Sequence, residues 1–104
     1  MDDELVAEFL TETNESLAEL ETDMVTLEQN PNDKELLSKI FRLMHTIKGT
    51  CGFLGLPRLE TVAHSAENVL GLFRDGTLEV TQEYVDLIFE SFDRIKIIVA
   101  GIEE

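Results

Sequence analysis

Two histidines, a lysine and a glutamate stand where they could do chemistry in this 104-residue chain: His45 and Lys48 in one stretch, His64 and Glu67 in another. Each pair is three residues apart, so on a helix each pair shares a face. A neutral imidazole is a good nucleophile toward phosphorus, because one ring nitrogen attacks through its lone pair while the other keeps the proton. The ordinary imidazole pKa of about 6.5 leaves the ring largely neutral near neutral pH. A carboxylate that accepts the remaining N–H fixes the tautomer and steadies the positive charge that grows on the ring. The chemistry therefore asks for a carboxylate carried by an element beside His45.

The stretch around His45 reads as an amphipathic helix. Leu37, Ile40, Phe41, Met44, Ile47, Cys51 and Leu54 recur at spacings of three and four, the period of a helix that buries one face. His45 lies about 120° from the centre of that sector, with Lys48, Gly49 and Gly52 on its side. Glycine in a helix costs about 1 kcal/mol relative to alanine, so Gly49 and Gly52 need a reason. Either the helix frays toward its end, or the surface beside His45 is kept bare so that another protein can reach the ring.

The rest of the chain supplies three more helices. The first runs over about 2–29, with Leu5, Phe9, Leu17, Leu20, Met24 and Leu27 as its stripe, Thr13 filling the gap, and Leu10, Ala18 and Val25 widening it. Asn30-Pro31-Asn32-Asp33 is a turn, and Asn32 with Glu35 makes a capping box for the His45 helix, over about 33–53. Pro57 suits the first turn of a third helix, 57–74, whose stripe is Leu59, Val62, Ala63, Ala66, Val69, Leu70 and Phe73. His64 and Glu67 fall off that stripe together, with Glu60 and Gly71 beside them. Thr81 caps a fourth helix, 81–103, in which Val85, Ile88, Phe92, Ile95, Val99 and Ile102 alternate by three and four. Four amphipathic helices joined by short turns predict an all-α antiparallel four-helix bundle.

In such a bundle the second and third helices are antiparallel neighbours joined near residues 54–57. Glu67 and His45 then lie roughly eleven and ten residues from the connection, about 16 Å along each axis, which makes Glu67 the candidate carboxylate.

Composition excludes several classes. One domain fits 104 residues, and no apolar run approaches the ~20 needed to cross a membrane. The acidic start Met1-Asp2-Asp3-Glu4 has neither the basic nor the apolar region of a signal peptide. The single cysteine, Cys51, sits in the apolar stripe, so a small buried side chain in a reducing cytoplasm fits best. A net charge of −14 argues against nucleic acid. Residues 1–30 hold ten acidic and no basic residues, whereas Lys34, Lys39, Arg42 and Lys48, half of the eight basic residues, fall within 34–48. A mildly basic surface near His45 on an acidic body suits an incoming phosphoryl group.

His45-Thr46-Ile47-Lys48-Gly49, followed by Gly52 and Gly55, resembles the histidine phosphotransfer (HPt) signature, His-x-x-Lys-Gly with further small residues. More narrowly, the chain is similar to the amino-terminal phosphotransfer domains of CheA chemotaxis histidine kinases. Glu8-Phe9-Leu10-Thr11-Glu12-Thr13-Asn14-Glu15 resembles their first helix and His64-Ser65-Ala66-Glu67-Asn68-Val69-Leu70 their third. The resemblance covers nearly the whole chain and implies a domain, 1–104, from the front of a larger kinase. It implies His45 as phospho-acceptor, Glu67 as the group that orients the ring, and Lys48 and His64 as supporting members of a polar cluster. A kinase ATP-binding domain would load His45, and an aspartate of a CheY- or CheB-like response regulator would unload it, docking on a surface that includes Phe41, Arg42, Gly49 and Gly52.

The chain has no P-loop, no glycine-rich nucleotide loop and no aspartate cluster for Mg²⁺. No cofactor is expected in this domain: ATP and Mg²⁺ belong to the kinase domain and the regulator. The domain itself is expected to be a monomer, carried by a dimeric parent kinase, or else a free-standing phosphorelay carrier. Two rivals come from other classes. A metal site of His45, His64 and Glu67 falls short of the four protein ligands of structural zinc and of the paired Glu-x-x-His motifs of di-iron bundles. A non-catalytic helical adaptor would bind a partner through the acidic first helix.

Overall fold

The computed structural model describes residues 3–103, with side chains described through residue 101. It contains four helices: α1 (Asp3–Gln29), α2 (Lys34–Leu54), α3 (Pro57–Arg74) and α4 (Gln82–Glu103). They pack as an antiparallel four-helix bundle, each helix against its two neighbours in the ring α1–α2–α3–α4, with α2 and α3 the most intimate pair. At about 1.5 Å per residue the 27-residue α1 is about 40 Å long, which sets the 41 Å long dimension of the molecule.

The core is the set of stripes that face inward. Leu17, Leu20, Met24 and Leu27 of α1 meet Ile40, Met44, Ile47 and Cys51 of α2, Leu59, Ala63, Ala66 and Leu70 of α3, and Val85, Ile88, Phe92, Ile95 and Val99 of α4. Ile102, expected to end the last stripe, lies outside the residues whose side chains are described. The α1 stripe is narrower than its apolar residues suggest. Leu5, Ala18 and Val25 are exposed, because the two neighbours of α1 cover only the face that carries Phe9, Thr13 and Leu17. Asp23 instead lies in the buried set, where Lys39 of α2 reaches it at 3.2–3.3 Å and also meets Glu19 at 3.0 Å. These carboxylates raise the Lys39 pKa. The ion cluster joins α1 to α2 and takes one of the cations clustered in 34–48 out of the His45 surface.

The connections are built from local chemistry. The cap of α2 is Asp33, whose carboxylate accepts the Leu36 N–H at 3.1 Å, not the expected Asn32–Glu35 box. Both residues are good N-caps, but the Asn30 carbonyl accepts the Asp33 N–H and closes the turn one residue later. At the other end, Gly55 takes the left-handed conformation (φ 69°), and the Leu56 and Gly55 N–H groups donate to the Cys51 and Gly52 carbonyls at 3.0 and 3.2 Å. This Schellman closure is followed at once by Pro57 at the first position of α3, which reverses the chain in two residues. Thr81 caps α4 through the Tyr84 N–H. No helix among the described residues is long and apolar enough to cross a membrane.

Candidate functional site

The tight reversal at Gly55–Leu56 sets the register of α2 on α3. A Cβ on Gly52 would face the Glu60 carboxyl at 3.5 Å, and seven residues farther along each helix His45 faces Glu67. Four more bring Phe41 opposite Gly71. Counting from the connection thus selects Glu67 over Glu60 as the partner of His45, as the helical rise predicts.

The His45 Nδ1–Glu67 Oε2 distance is 2.7 Å, and Lys48 Nζ donates to the other carboxylate oxygen, Oε1, at 3.2 Å. The site is asymmetric in its exposure. The His45 side chain is 61% exposed, whereas that of Glu67 is only 9% exposed. Glu67 was expected on an open flank beside His64. It is buried because α2 closes over that flank, drawn in by the small side chains Ala63 and Ala66. Burial pushes the Glu67 carboxyl up, but the hydrogen bonds from His45 and Lys48 outweigh it and hold the group below its ordinary value of 4.5. An ionised carboxylate can only accept, so Nδ1 carries the proton and Nε2 of the neutral ring keeps its lone pair. Whenever the ring is neutral, the arrangement leaves Nε2 as a nucleophile with a fixed negative charge behind the ring.

His64 is exposed one turn before Glu67 and stands apart from the hydrogen bonds of His45, Glu67 and Lys48. Among the described residues no three His, Cys, Asp or Glu side chains converge as metal ligands. Gly49 and Gly52 are both exposed, and a Cβ at Gly49 would meet nothing within 4 Å. The bundle itself therefore has no steric need for glycine at 49. Arg42 is exposed on the outer face of α2, lining a shallow depression with Asp33, Glu35 and Lys39. Cys51 is fully buried, and burial, followed by the Glu60 charge, pushes its thiol up to about 11, so it is inert packing.

Phe41, expected on the docking surface, also packs within the site. It is half-buried, its ring lies nearly parallel to that of His45 (centroids 6.0 Å, 16° between planes), and the Arg74 guanidinium sits 4.0 Å from its centroid. Arg74 was missed as a neighbour of the site, and Gly71, placed beside Glu67 by helix spacing, was given no part in seating Phe41. The available signal was spacing: Phe41 is one turn before His45, and Gly71 is one turn after Glu67.

Residues 4–103 match the family model of the Hpt domain. The chain belongs to the Hpt domain family. This Hpt domain is 40% identical over 106 residues to the sensor histidine kinase CheAY of Helicobacter pylori, covering 100% of the chain and 13% of that protein, so it spans a small part of its curated relatives' length. Its fold superposes on the CheA phosphotransferase domain of Thermotoga maritima with a TM-score of 0.95 at 34% identity, covering 100% of this chain and 99% of that one. A second similar structure is the phosphorylated P1 domain of CheA3 in complex with CheY6 from R. sphaeroides (TM-score 0.87, 26% identity, 96% of this chain and 78% of that one). The Hpt domain is of the CheA phosphotransfer type, the four-helix bundle that its sequence resembles.

Proposed function

We propose that this Hpt domain is the phosphoryl carrier at the front of a longer CheA-type chemotaxis kinase, working in the cytoplasm as a monomeric module. It shuttles between the kinase's ATP-binding domain and a CheY- or CheB-like response regulator. The observation that carries the reading is the 2.7 Å contact of His45 Nδ1 with the buried Glu67 carboxylate, which leaves Nε2 unengaged on a largely exposed side chain. The R. sphaeroides complex of a phosphorylated domain of this type with CheY6 supports the choice of regulator.

In loading, the Nε2 lone pair forms a bond to the γ-phosphorus of ATP. The bond to the β,γ-bridging oxygen breaks, and ADP leaves with that electron pair. The ring becomes positive, and its Nδ1–H proton stays on the bond to Glu67, whose charge offsets the new one. Lys48 holds the second carboxylate oxygen and keeps the carboxylate from turning away. In unloading, a regulator aspartate oxygen attacks phosphorus, the N–P bond breaks, and the pair returns to Nε2 with the proton still on Nδ1. ATP and Mg²⁺ are supplied by the partners, and the domain needs no cofactor of its own.

The test is to incubate the domain with a CheA-type ATP-binding domain and radiolabelled ATP, then add a CheY-type regulator. Label is expected on the domain first and on the regulator next. His45→Gln should take no label yet keep its helical circular dichroism, because substitution at so exposed a position usually shifts stability by about 0.5 kcal/mol or less. Labelling of His45→Gln at the wild-type level would overturn the assignment.

A further inference from the structure

A nucleophilic nitrogen on an exposed side chain is useful only if the ring is held. A single hydrogen bond from Nδ1 fixes one atom and leaves the ring free to swing about it, and 61% of the His45 side chain has no protein around it. The surface that limits this swing is Phe41, one turn earlier on α2. Its ring lies within 16° of parallel to the imidazole, with centroids 6.0 Å apart, inside the range in which offset aromatic pairs attract. Phe41 is fixed in turn by α3. The Arg74 guanidinium covers its ring at 4.0 Å, and Arg74 is itself tied to Asp75 through Nε at 3.2 Å. The bare Cα of Gly71 lets the ring lie against α3, where a Cβ would already touch Phe41 Cε2 at 3.4 Å.

We propose that Phe41, seated against Gly71 and clamped by Arg74, is a positioning residue that holds the His45 ring in the orientation that gives its Nδ1 to Glu67 and its Nε2 to the incoming phosphoryl group. Phe41 touches no reacting atom and acts through the imidazole plane. The proposal rests on His45 as the phospho-acceptor.

Two readouts separate it from a packing role, a docking role and a failure of the carrier reading itself. Phe41→Leu keeps an apolar side chain of similar bulk but removes the flat face, and Phe41→Tyr restores that face. Nitrogen NMR of the ring, measured on the domain alone, is expected to show His45 as the Nδ1–H tautomer in the wild type and in Phe41→Tyr. A mixture with the Nε2–H form is expected in Phe41→Leu. With the kinase domain, the kcat for loading should fall about tenfold in Phe41→Leu with KM little changed, and recover in Phe41→Tyr. Unchanged ring nitrogens in Phe41→Leu would overturn the proposal, as would a raised KM with unchanged kcat, which would make Phe41 a docking contact. A tautomer shift in protein whose wild type takes no label would sink the carrier reading while leaving the positioning intact.

Discussion

At the scale of single residues, the site depends on a buried carboxylate that stays ionised. Burial alone would raise Glu67 toward the protonated form, and the two donors, His45 and Lys48, reverse the direction. A carboxyl whose folded pKa lies below its unfolded value adds stability above the unfolded value, and this contribution disappears as the pH falls through the folded one. Glu67→Gln should therefore have an unfolding free energy that depends less on pH than the wild type from about pH 4.5 downward, as measured by urea titration at stepped pH. The same variant should load more slowly yet not lose loading, since Nε2 remains. An equally steep acid profile in the variant would show that the carboxylate is not held down by its neighbours. His45 and Glu67 were both legible in the linear chain, the first by its angle from the apolar stripe, the second by counting outward from the connection near residues 54–57. The depth of Glu67 and the wall made by Phe41 were not, because both depend on how closely α3 is approached at Ala63, Ala66 and Gly71.

At the scale of elements, α2 carries two kinds of glycine that the same substitution distinguishes. Gly55 is left-handed and closes the helix, whereas Gly49 is in helical conformation with open space where a Cβ would stand. Gly49→Ala should stabilise the domain by up to about 1 kcal/mol, and Gly55→Ala should destabilise it by about 1–2 kcal/mol. Thermal unfolding of the two variants reads both signs. Destabilisation by Gly49→Ala would mean that glycine at 49 serves the fold. Stabilisation means that it serves whatever approaches His45. The helix ends were legible to within a residue or two, since caps are local: Pro57 and Gly55 act through their own dihedral angles. The α2 cap moved from Asn32 to Asp33 because two neighbouring residues offered the same chemistry and the turn geometry chose between them.

For the molecule as a whole, the charge of −14 is spread over a bundle only 41 × 22 × 20 Å. Among the described residues, Lys39, Lys48, Arg74 and Lys96 are already paired with carboxylates, so the remaining acidic groups repel one another across α1 and its neighbours. Raising the ionic strength from about 0.01 M to about 0.15 M shortens the screening distance from roughly 30 to 8 Å and should raise the thermal midpoint. A midpoint that falls with salt would show that the ion pairs outweigh the repulsion. The force that opposes this repulsion is apolar burial, since each helix turns one continuous apolar stripe toward the shared core.

The order of residues along the chain already contains four amphipathic periods, the stops between them, the antiparallel pairing of α2 with α3, and a histidine turned away from the core opposite a glutamate. These follow from spacing and local dihedral preference, which need no partner to be expressed. What required the folded molecule is everything set by the distance and rotation between packed helices: the burial of Asp23 under Lys39 and of Glu67 under His45 and Lys48, the exclusion of His64 from the hydrogen bonds, the seating of Phe41 against Gly71 and Arg74, and the exposure of Val25. A helical wheel gives each side chain its angle about its own axis. Whether that side chain meets water, carbon or charge is decided by the neighbouring helix, whose approach is set by the volumes of residues far apart in sequence.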